Sequence, residues 1–372
     1  MKSWRKSILF LSGIIALIAL TGCVGAGTTG WAGAAIEGNS LFISYGSVYA
    51  LDGATGKEIW RFPSPANNSI AIYTPAAITP DLVVVGGFNH VLYGINPDNG
   101  SEKWAFTGAK DQYIGGILNS GTNYYAPNND WHIYAVDNNG SLLWKFSAKA
   151  ANWSKPVSDG NFVFLASMDH NLYALKTEYS QNELAVEKDG LKTVVSTPVW
   201  SAALGGAAVM EPVLENGVLY VGTLAGTVKA INSTNGAEIW TYGDSGSIAS
   251  IWSKPAVKDG ILFFADEKGK IYALDAMSGK PVWDTPYSSE NVIIAGAAVT
   301  PDGIVFSTKT GKSILINASK QVKELITMQG AIYSTPIFSA DRLILIPVNN
   351  QYLAAAIKLD GTQLWNFVPV KD

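Results

Sequence analysis

From residue 31 onward, short stretches in which apolar residues alternate with smaller or polar ones recur along the chain. Ser40–Ser44, Leu82–Val85 and Ile261–Phe264 are examples. A period of two residues is typical of a β-strand with one buried face. Shorter segments of small residues, often containing proline, precede these runs, as in Thr74–Ala77. No stretch carries a convincing helical period, so the pattern predicts an all-β protein.

One phrase, a strand followed by a turn and a tryptophan, repeats through the chain. The strand leads into Asp or Asn, then a glycine, then Trp, and Asx with glycine is characteristic of tight turns. The clear copies are Val48–Trp60, Leu92–Trp104, Ile133–Trp144, Val228–Trp240 and Ile271–Trp283, with a worn copy at Ala356–Trp365.

Two intervals between the tryptophans are about twice as long as the others, and each contains a degenerate copy. His170–Leu175 begins one copy that lacks its Asp, Gly and Trp and is followed by a charged insertion over about 178–192. Ser313–Asn317 begins the other, with Leu325 where the tryptophan is expected. Eight copies at a period of about 40 to 48 residues, each with four short strands, predict one β-propeller of eight four-stranded blades over residues 31–372.

The pattern Ala-x-Asp-x-x-Thr-Gly-Lys-x-x-Trp resembles the tryptophan-docking motif of the pyrroloquinoline-quinone-like propellers. It is matched at Ala50–Trp60 and, with serine for threonine, at Ala273–Trp283. The resemblance covers roughly residues 31–368 and implies that the tryptophan of one blade packs against the next blade. The tryptophans expected in this structural role are Trp60, Trp104, Trp144, Trp240, Trp283 and Trp365.

Two subgroups of that family differ in function. In the quinoprotein dehydrogenases, a vicinal disulfide covers the quinone and acidic residues hold calcium, whereas this chain has one cysteine. The resemblance therefore implies neither a cofactor nor a metal site. The chain is more similar to the propeller lipoprotein of the outer-membrane β-barrel assembly machinery, which is a scaffold that binds a partner chain. We expect a non-catalytic scaffold with a protein partner; the alternatives are a small-molecule or quinone binder and a divergent dehydrogenase-like enzyme.

The first residues are typical of a targeting segment. Lys2, Arg5 and Lys6 precede an apolar run over 8–20, which is too short to be a convincing membrane-spanning helix. The run ends in Leu20–Cys23, which resembles the bacterial lipobox. We therefore expect residues 1–22 to be a signal peptide, Cys23 to carry lipid and residues 23–30 to form a tether. The protein would be exported and anchored to a bacterial membrane.

Aligning the segments before the innermost strands indicates a candidate binding site. Six of the eight blades have an aromatic residue there, and charged residues follow in three neighbouring segments. The candidate residues are Trp31, Tyr73, Tyr113, Trp153, Trp252 and Tyr333, with Lys155, Glu211 and Lys254. In a propeller these positions lie at the mouth of the central channel. They would either pack between blades or form anchors for a peptide loop or a small ligand.

Charge and the remaining polar residues narrow the choice of function. A net charge of −4 disfavours a nucleic-acid partner, which requires a basic face. His90, His132 and His170 fall in turns of consecutive blades, where they are either polar turn residues or, on a shared face, metal ligands. Blades should be separated by about 10 Å, much more than a zinc–nitrogen bond of about 2 Å, which favours the turn role. Asp52, Asp137 and Asp275 are interpreted as turn residues of the repeat rather than catalytic carboxylates.

Overall fold

The computed structural model describes residues 31–370, with gaps at 68, 187–189, 191, 195–197, 244–245 and 349–351. The expected signal peptide, Cys23 and the tether lie outside the described residues. Within the described part, no helix is long and apolar enough to cross a membrane. Its single helical segment is the short 3₁₀ turn Gln181–Glu183. The all-β prediction is confirmed.

Eight antiparallel four-stranded sheets form the blades. Within each sheet, neighbouring strands follow one another in the chain, apart from the strands inserted in blades 4 and 8. Blade 1 contains β1 (Gly33–Glu37), β2 (Ser40–Tyr45), β3 (Ser47–Asp52) and β4 (Glu58–Phe62). Blade 2 contains β5 (Ala77–Ile78), β6 (Val83–Gly86), β7 (Leu92–Ile95) and β8 (Glu102–Phe106). Blade 3 contains β9 (Leu118–Ser120), β10 (Asn123–Pro127), β11 (His132–Val136) and β12 (Leu142–Ser147). Blade 4 contains β13 (Val157–Ser158), β14 (Phe162–Ala166), β15 (Asn171–Lys176) and β18 (Trp200–Ala203), with the hairpin β16 (Leu184–Val186) and β17 (Lys192–Val194) inserted before its last strand.

The second half of the chain repeats the arrangement. Blade 5 contains β19 (Val213–Glu215), β20 (Val218–Gly222), β21 (Val228–Asn232) and β22 (Glu238–Tyr242). Blade 6 contains β23 (Ala256–Lys258), β24 (Ile261–Ala265), β25 (Lys270–Asp275) and β26 (Tyr287–Ser288). Blade 7 contains β27 (Ala298–Thr300), β28 (Gly303–Ser307), β29 (Lys312–Ile316) and β30 (Val322–Thr327). Blade 8 contains β32 (Ile337–Ser339), β33 (Arg342–Leu345), β35 (Ala354–Ile357) and β36 (Gln363–Phe367), beside the short pair β31 (Ala331–Ile332) and β34 (Pro347–Val348).

The first strand of every blade lies innermost. β1, β5, β9, β13, β19, β23, β27 and β32 contact one another in sequence, and β32 returns to contact β1. The blades therefore form a closed ring around a central channel, and each takes its four strands from one continuous stretch of chain. The hydrophobic clusters span neighbouring blades, so that the faces of adjacent sheets bury each other.

Tryptophans of the outermost strands join each blade to the next. Each indole Nε1 donates to a backbone carbonyl of the following blade. Where the turn of that blade contains a glycine, the ring covers it; the turns contacted by Trp144 and Trp283 contain none. Trp60 donates to Pro97 O at 2.7 Å and lies against Gly100, where an added Cβ would approach the ring to 2.7 Å. Trp104, Trp144, Trp240 and Trp283 make the equivalent bonds. The glycine therefore provides both the turn conformation and the space for the indole.

The fourth blade differs from its expected sequence pattern, because it does contain a docking tryptophan. Trp200 follows the inserted hairpin, and its Nε1 donates to Ser233 O at 3.2 Å while its ring covers Gly236. The prediction that this copy lacks its tryptophan is therefore wrong. The insertion displaces Trp200 from the regular spacing, which is why the repeat did not reveal it. In blade 7, Leu325 stands where a tryptophan is expected; it is buried in one cluster with Leu359 of blade 8, and its backbone carbonyl lies beside Gly361.

The ring closes between the last and first blades without exchanging a strand. Trp365 Nε1 donates to Gly53 O at 3.1 Å, and its ring covers Gly56. Arg342 Nη1 also donates to Gly53 O, at 2.7 Å. From blade 1, Arg61 donates to the carbonyl of Val370 at 2.7 Å. Side-chain docking, rather than a shared sheet, therefore holds the two ends of the ring together.

Candidate functional site

The antiparallel order of the strands gives the ring two distinct faces. The segments before each first strand and the turns between second and third strands lie on one side, which we call the mouth face. The turns between first and second strands, and the turns of the repeated phrase, lie on the other, which we call the motif face. Of the predicted residues, the aromatic and charged candidates belong to the mouth face and the docking tryptophans contact turns of the motif face.

Seven of the nine candidate residues surround one cavity at the mouth of the channel. The cavity has a volume of about 180 Å³. The seven are Trp31, Tyr73, Trp153, Lys155, Glu211, Lys254 and Tyr333, and they come from six blades. Ile114, Val209 and Met210 add apolar surface to the wall. The structure thus brings together side chains that are up to about 300 residues apart in the chain.

Tyr113 does not belong to this cavity, because its blade is in a different register from the one the sequence alignment assumed. Leu118 of β9 pairs with Tyr125, and Ala77 of β5 pairs with the equivalent Val84. Counting back four residues from each strand position gives Ile114 in blade 3 and Tyr73 in blade 2. A shift of one residue reverses the direction of a side chain. Ile114 therefore faces the cavity, and Tyr113 is fully buried in the core between blades 2 and 3.

Aromatic contacts connect the remaining candidates. Trp31 packs edge-to-face with Trp252, with ring centroids 5.7 Å apart, and stacks on Tyr333 at 6.2 Å. Trp252, on blade 6, does not line the cavity, and its Nε1 donates to Glu267 at 3.2 Å. Trp31 remains 38% exposed despite these contacts. Trp31 of blade 1 therefore packs against its neighbour blade 8 and reaches blade 6, and it still presents surface to a ligand.

The three charged candidates lie side by side on blades 4, 5 and 6. Glu211 is central: its carboxylate is 3.1 Å from Lys254 Nζ and 3.8 Å from Lys155 Nζ. All three side chains are partly exposed. The sequence pattern placed them correctly on one rim because their segments align without an insertion or a shift.

His90 and His170 lie in the expected turns, but the prediction that His132 lies in the equivalent turn is wrong. His90 and His170 occupy left-handed backbone positions, with φ of 69° and 71°. The matching residue of blade 3 is Trp131, with φ of 75°, whereas His132 begins the following strand. No group of three or more metal-ligating side chains occurs among the described residues. The sequence did not single out Trp131, which is 54% exposed on the mouth face.

Solved structures with the same architecture match most of the chain. BamB from Moraxella catarrhalis superposes with a TM-score of 0.68 at 18% identity, covering 88% of this chain and 93% of that one. The computationally designed protein Ika8 superposes with a TM-score of 0.64 at 14% identity, covering 80% of this chain and 87% of its own. At these identities the similarity establishes the propeller fold.

A catalytic protein is also similar in sequence. Tetrathionate hydrolase from Acidithiobacillus ferrooxidans is 27% identical over 54% of this chain. The match spans 42% of the hydrolase, so this chain covers about two fifths of the length of that relative.

The family comparison covers nearly the whole sequence. The family model described as outer membrane protein assembly factor BamB matches residues 4–127, 129–295 and 252–371. These ranges include all eight blades described above. The chain therefore belongs to the BamB family of β-propellers.

Proposed function

We propose that this protein is a non-catalytic, membrane-anchored scaffold of the cell envelope, which binds a protein partner through its mouth face and takes part in the assembly of outer-membrane proteins. The observation that carries the proposal is the cavity at the channel mouth. There, exposed aromatic side chains and a lysine–glutamate–lysine cluster converge from separate blades.

The composition of this surface suits protein recognition. Aromatic residues contribute most binding free energy when they lie in partly buried pockets surrounded by other contacts. Trp31 and Trp153 are already held by neighbours: Trp31 by Tyr333, and Trp153 by a hydrogen bond from Nε1 to Asn129 Oδ1 at 2.9 Å. Because these rings are ordered before binding, a partner would lose little additional side-chain entropy on contacting them.

The lipid anchor would determine where the mouth face meets its partner. Lipidation of Cys23 would tie the ring to a membrane through the short segment 24–30, so that the partner is met at the membrane surface. Two or three acyl chains at about 0.8 kcal/mol for each buried CH₂ group give stable attachment. Intact-mass measurement of the mature protein tests the anchor: we expect diacylglycerol on Cys23, and release of Cys23→Ser into the soluble fraction.

Complementation in cells lacking the protein tests the scaffold function. We expect the amount of correctly folded outer-membrane β-barrel protein to fall and the wild type to restore it. The double variant Trp31→Ala/Tyr333→Ala should fold but fail to restore it, because it removes two anchors of the mouth face. Met277→Ala, on the motif face and 85% exposed, is the matched control and should restore it fully. Full restoration by the double variant would contradict the proposal.

The hydrolase match supports a second candidate, an enzyme that acts on a sulfur oxyanion such as tetrathionate. The two lysines at the mouth are suitable for holding such an anion. Incubation of the purified protein with tetrathionate distinguishes the two functions. The scaffold proposal predicts no consumption above that of heat-inactivated protein, whereas turnover that is lost in Lys155→Gln would favour the enzyme.

A further inference from the structure

The charged cluster in the channel mouth has an excess of positive charge. The charged residues that line the cavity are Lys155, Lys254 and Glu211, two cations and one anion. Of the two lysines, Lys254 is within hydrogen-bonding distance of the Glu211 carboxylate, at 3.1 Å. Lys155 Nζ is 3.8 Å away, too far for a hydrogen bond. The Lys155 ammonium therefore keeps donors for another acceptor.

Glycines on the two adjacent blades make room for the lysines. An added Cβ at Gly116, in blade 3, would lie 2.9 Å from Lys155 Cδ. An added Cβ at Gly296, in blade 7, would lie 2.8 Å from Lys254 Cβ. Gly116 and Gly296 occupy the same register position as the lysines, two residues after the aromatic position. The channel is thus asymmetric: Lys155, Glu211 and Lys254 project from blades 4, 5 and 6, whereas blades 3 and 7 on either side have glycine at this position.

The opposite side of the same cavity is apolar and aromatic. Tyr73 and Tyr333 come from blades 2 and 8, across the channel from the charged cluster, and the ring of Trp31, from blade 1, extends to Trp252 of blade 6. A ligand with a carboxylate at one end and an aromatic or aliphatic group at the other would satisfy both walls. At about 180 Å³ the cavity is smaller than the roughly 300–1,000 Å³ typical of sites for drug-sized ligands. Its volume suits one or two amino-acid side chains.

We infer that the channel-mouth cavity is a carboxylate-binding site, in which Lys155 and Lys254 bind the carboxylate and the aromatic wall packs against the adjoining apolar group. This inference rests on the proposed function, because the carboxylate is that of an acidic residue in a loop of the protein partner. A free organic acid would have the same recognition chemistry. Glu211 lies between the two lysines and offsets their mutual repulsion, and its own charge weakens binding of a second carboxylate.

Calorimetric titration of the full, lipid-anchored protein in detergent tests the inference. The small probe is 3-phenylpropionate, compared with its neutral amide. The peptide probe is acetyl-Phe-Glu-Phe-amide, compared with the same peptide containing glutamine. We expect each carboxylate to bind at least about tenfold more tightly than its neutral counterpart, because one charge-assisted hydrogen bond raises the affinity by about tenfold. Titration of each probe into detergent without protein gives the heat of partition, which is subtracted.

Variants identify the residues responsible. Lys155→Gln should weaken carboxylate binding about tenfold, while Glu211→Gln should strengthen it several-fold by removing the competing charge. Lys229→Gln is the control, because Lys229 pairs with Glu238 at 2.7 Å on the outer strands of blade 5. A purely structural cluster predicts no gain in Glu211→Gln. Equal binding of carboxylate and amide, or no gain in Glu211→Gln, would overturn the inference; the latter result decides it even if Lys155→Gln does not fold.

The two probes separate the possible sources of the carboxylate. Binding of the peptide at least tenfold more tightly than 3-phenylpropionate indicates a protein loop, and similar affinities indicate a free organic acid. Failure of this inference is also distinguishable from failure of the scaffold function. If complementation requires Trp31 and Tyr333 but neither carboxylate probe binds, the inference is wrong and the proposed function stands. If the carboxylate probes bind specifically but loss of the protein does not affect outer-membrane proteins, the proposed function is wrong and the carboxylate site stands.

Discussion

At the scale of single residues, the packing between two blades depends on the direction in which each side chain points. Tyr113 is fully buried, and its hydroxyl has no hydrogen-bond partner among the described residues. Burial, and secondarily the nearby Asp130 carboxylate, hold the pKa of Tyr113 well above its usual value. The hydroxyl therefore stays protonated and contributes a desolvation cost without a compensating bond.

Tyr113→Phe should leave the free energy of unfolding unchanged or increase it by up to about 1 kcal/mol, because it removes an unpaired buried hydroxyl. Urea denaturation measures the change. Tyr134→Phe is a matched control in the same cluster, since the Tyr134 hydroxyl donates to Asp130 at 2.6 Å. That variant should lose about 1 kcal/mol or more. A marked loss of stability in Tyr113→Phe would show that the hydroxyl is paired.

Asp130 organises the turn between the second and third strands of blade 3. Its carboxylate accepts hydrogen bonds from the backbone N–H of Lys110 at 2.8 Å, from the Tyr134 hydroxyl and from the backbone N–H of His132 at 3.1 Å. Burial alone would raise the pKa of Asp130, but the hydrogen bonds from His132, Tyr134 and Lys110 outweigh it and lower the pKa below the usual value.

A lowered pKa makes this contribution to stability dependent on pH. It is fully present above the unfolded-state pKa of about 3.9 and is lost as the pH falls through the folded-state value. Asp130→Asn should therefore lower the free energy of unfolding by about 1–3 kcal/mol at pH 7. Its difference from the wild type should shrink below about pH 4. The exposed control Asp284→Asn should show little change, and a constant Asp130→Asn difference from pH 7 to pH 2 would contradict the assignment.

At the scale of strands, the outermost strand of a blade acts through its tryptophan. Trp200→Ala should destabilise the protein by up to about 3 kcal/mol, below the 3–5 kcal/mol typical of a fully buried aromatic residue, because Trp200 is partly buried. Trp200→Phe should lose less, since a ring remains over Gly236 and only the bond to Ser233 is removed. Trp131→Ala is the exposed control. Equal stabilities of Trp200→Ala and Trp131→Ala, measured by chemical denaturation, would show that Trp200 does not join blades 4 and 5.

The repeated phrase predicted most of these elements because its chemistry is local. The turn at Asp52, for example, is closed by hydrogen bonds from the Thr55 backbone and hydroxyl to the Asp52 carboxylate, and the same phrase produces the same turn elsewhere. Trp200 could not be found in this way. The hairpin before it covers the outer strand of blade 3, where Thr193 Oγ1 donates to Lys145 O at 3.2 Å. The repeat does not specify the length of this hairpin, so the position of Trp200 could not be predicted from it.

The candidate site was predictable only where the segments before the first strands have regular lengths. Trp153 and Trp252 each precede Ser-Lys-Pro, so their positions relative to the strand are evident from the sequence. Blade 3 has Gly115 and Gly116 instead and no proline, and either Tyr113 or Ile114 could have been the aligned residue. Only the pairing of β9 with β10 resolves the register.

At the scale of the whole molecule, the ring depends on one joint that no linker reinforces. Trp365 docks blade 8 on blade 1, and these blades are the two ends of the propeller chain. When docking is lost between blades that follow each other in the chain, the linker still keeps them close, which limits the entropy gained on opening. Blades 8 and 1 have no such linker.

Trp365→Ala should therefore open the ring locally. We expect amide hydrogen exchange in blades 1 and 8 to accelerate by at least about 100-fold, corresponding to the loss of 3–5 kcal/mol of docking. Trp240→Ala, at a joint between consecutive blades, is the control and should accelerate exchange of blades 5 and 6 by less. Uniform acceleration over all eight blades in Trp365→Ala would contradict this view of the closure.

A closed ring gives the molecule two faces of different character, and our central claim is that the mouth face meets the partner. Site-specific photocrosslinking from the full, anchored protein in its own membrane tests it most directly, with a photoreactive residue at Trp31 or at Met277. If exposure alone decided the yield of crosslinking, position 277 would react more than position 31, because Met277 is 85% exposed and Trp31 is 38% exposed. We predict a discrete adduct with an envelope protein from position 31, competed by the carboxylate peptide, and none from position 277. The same adduct from position 277, or none from position 31, would contradict the claim.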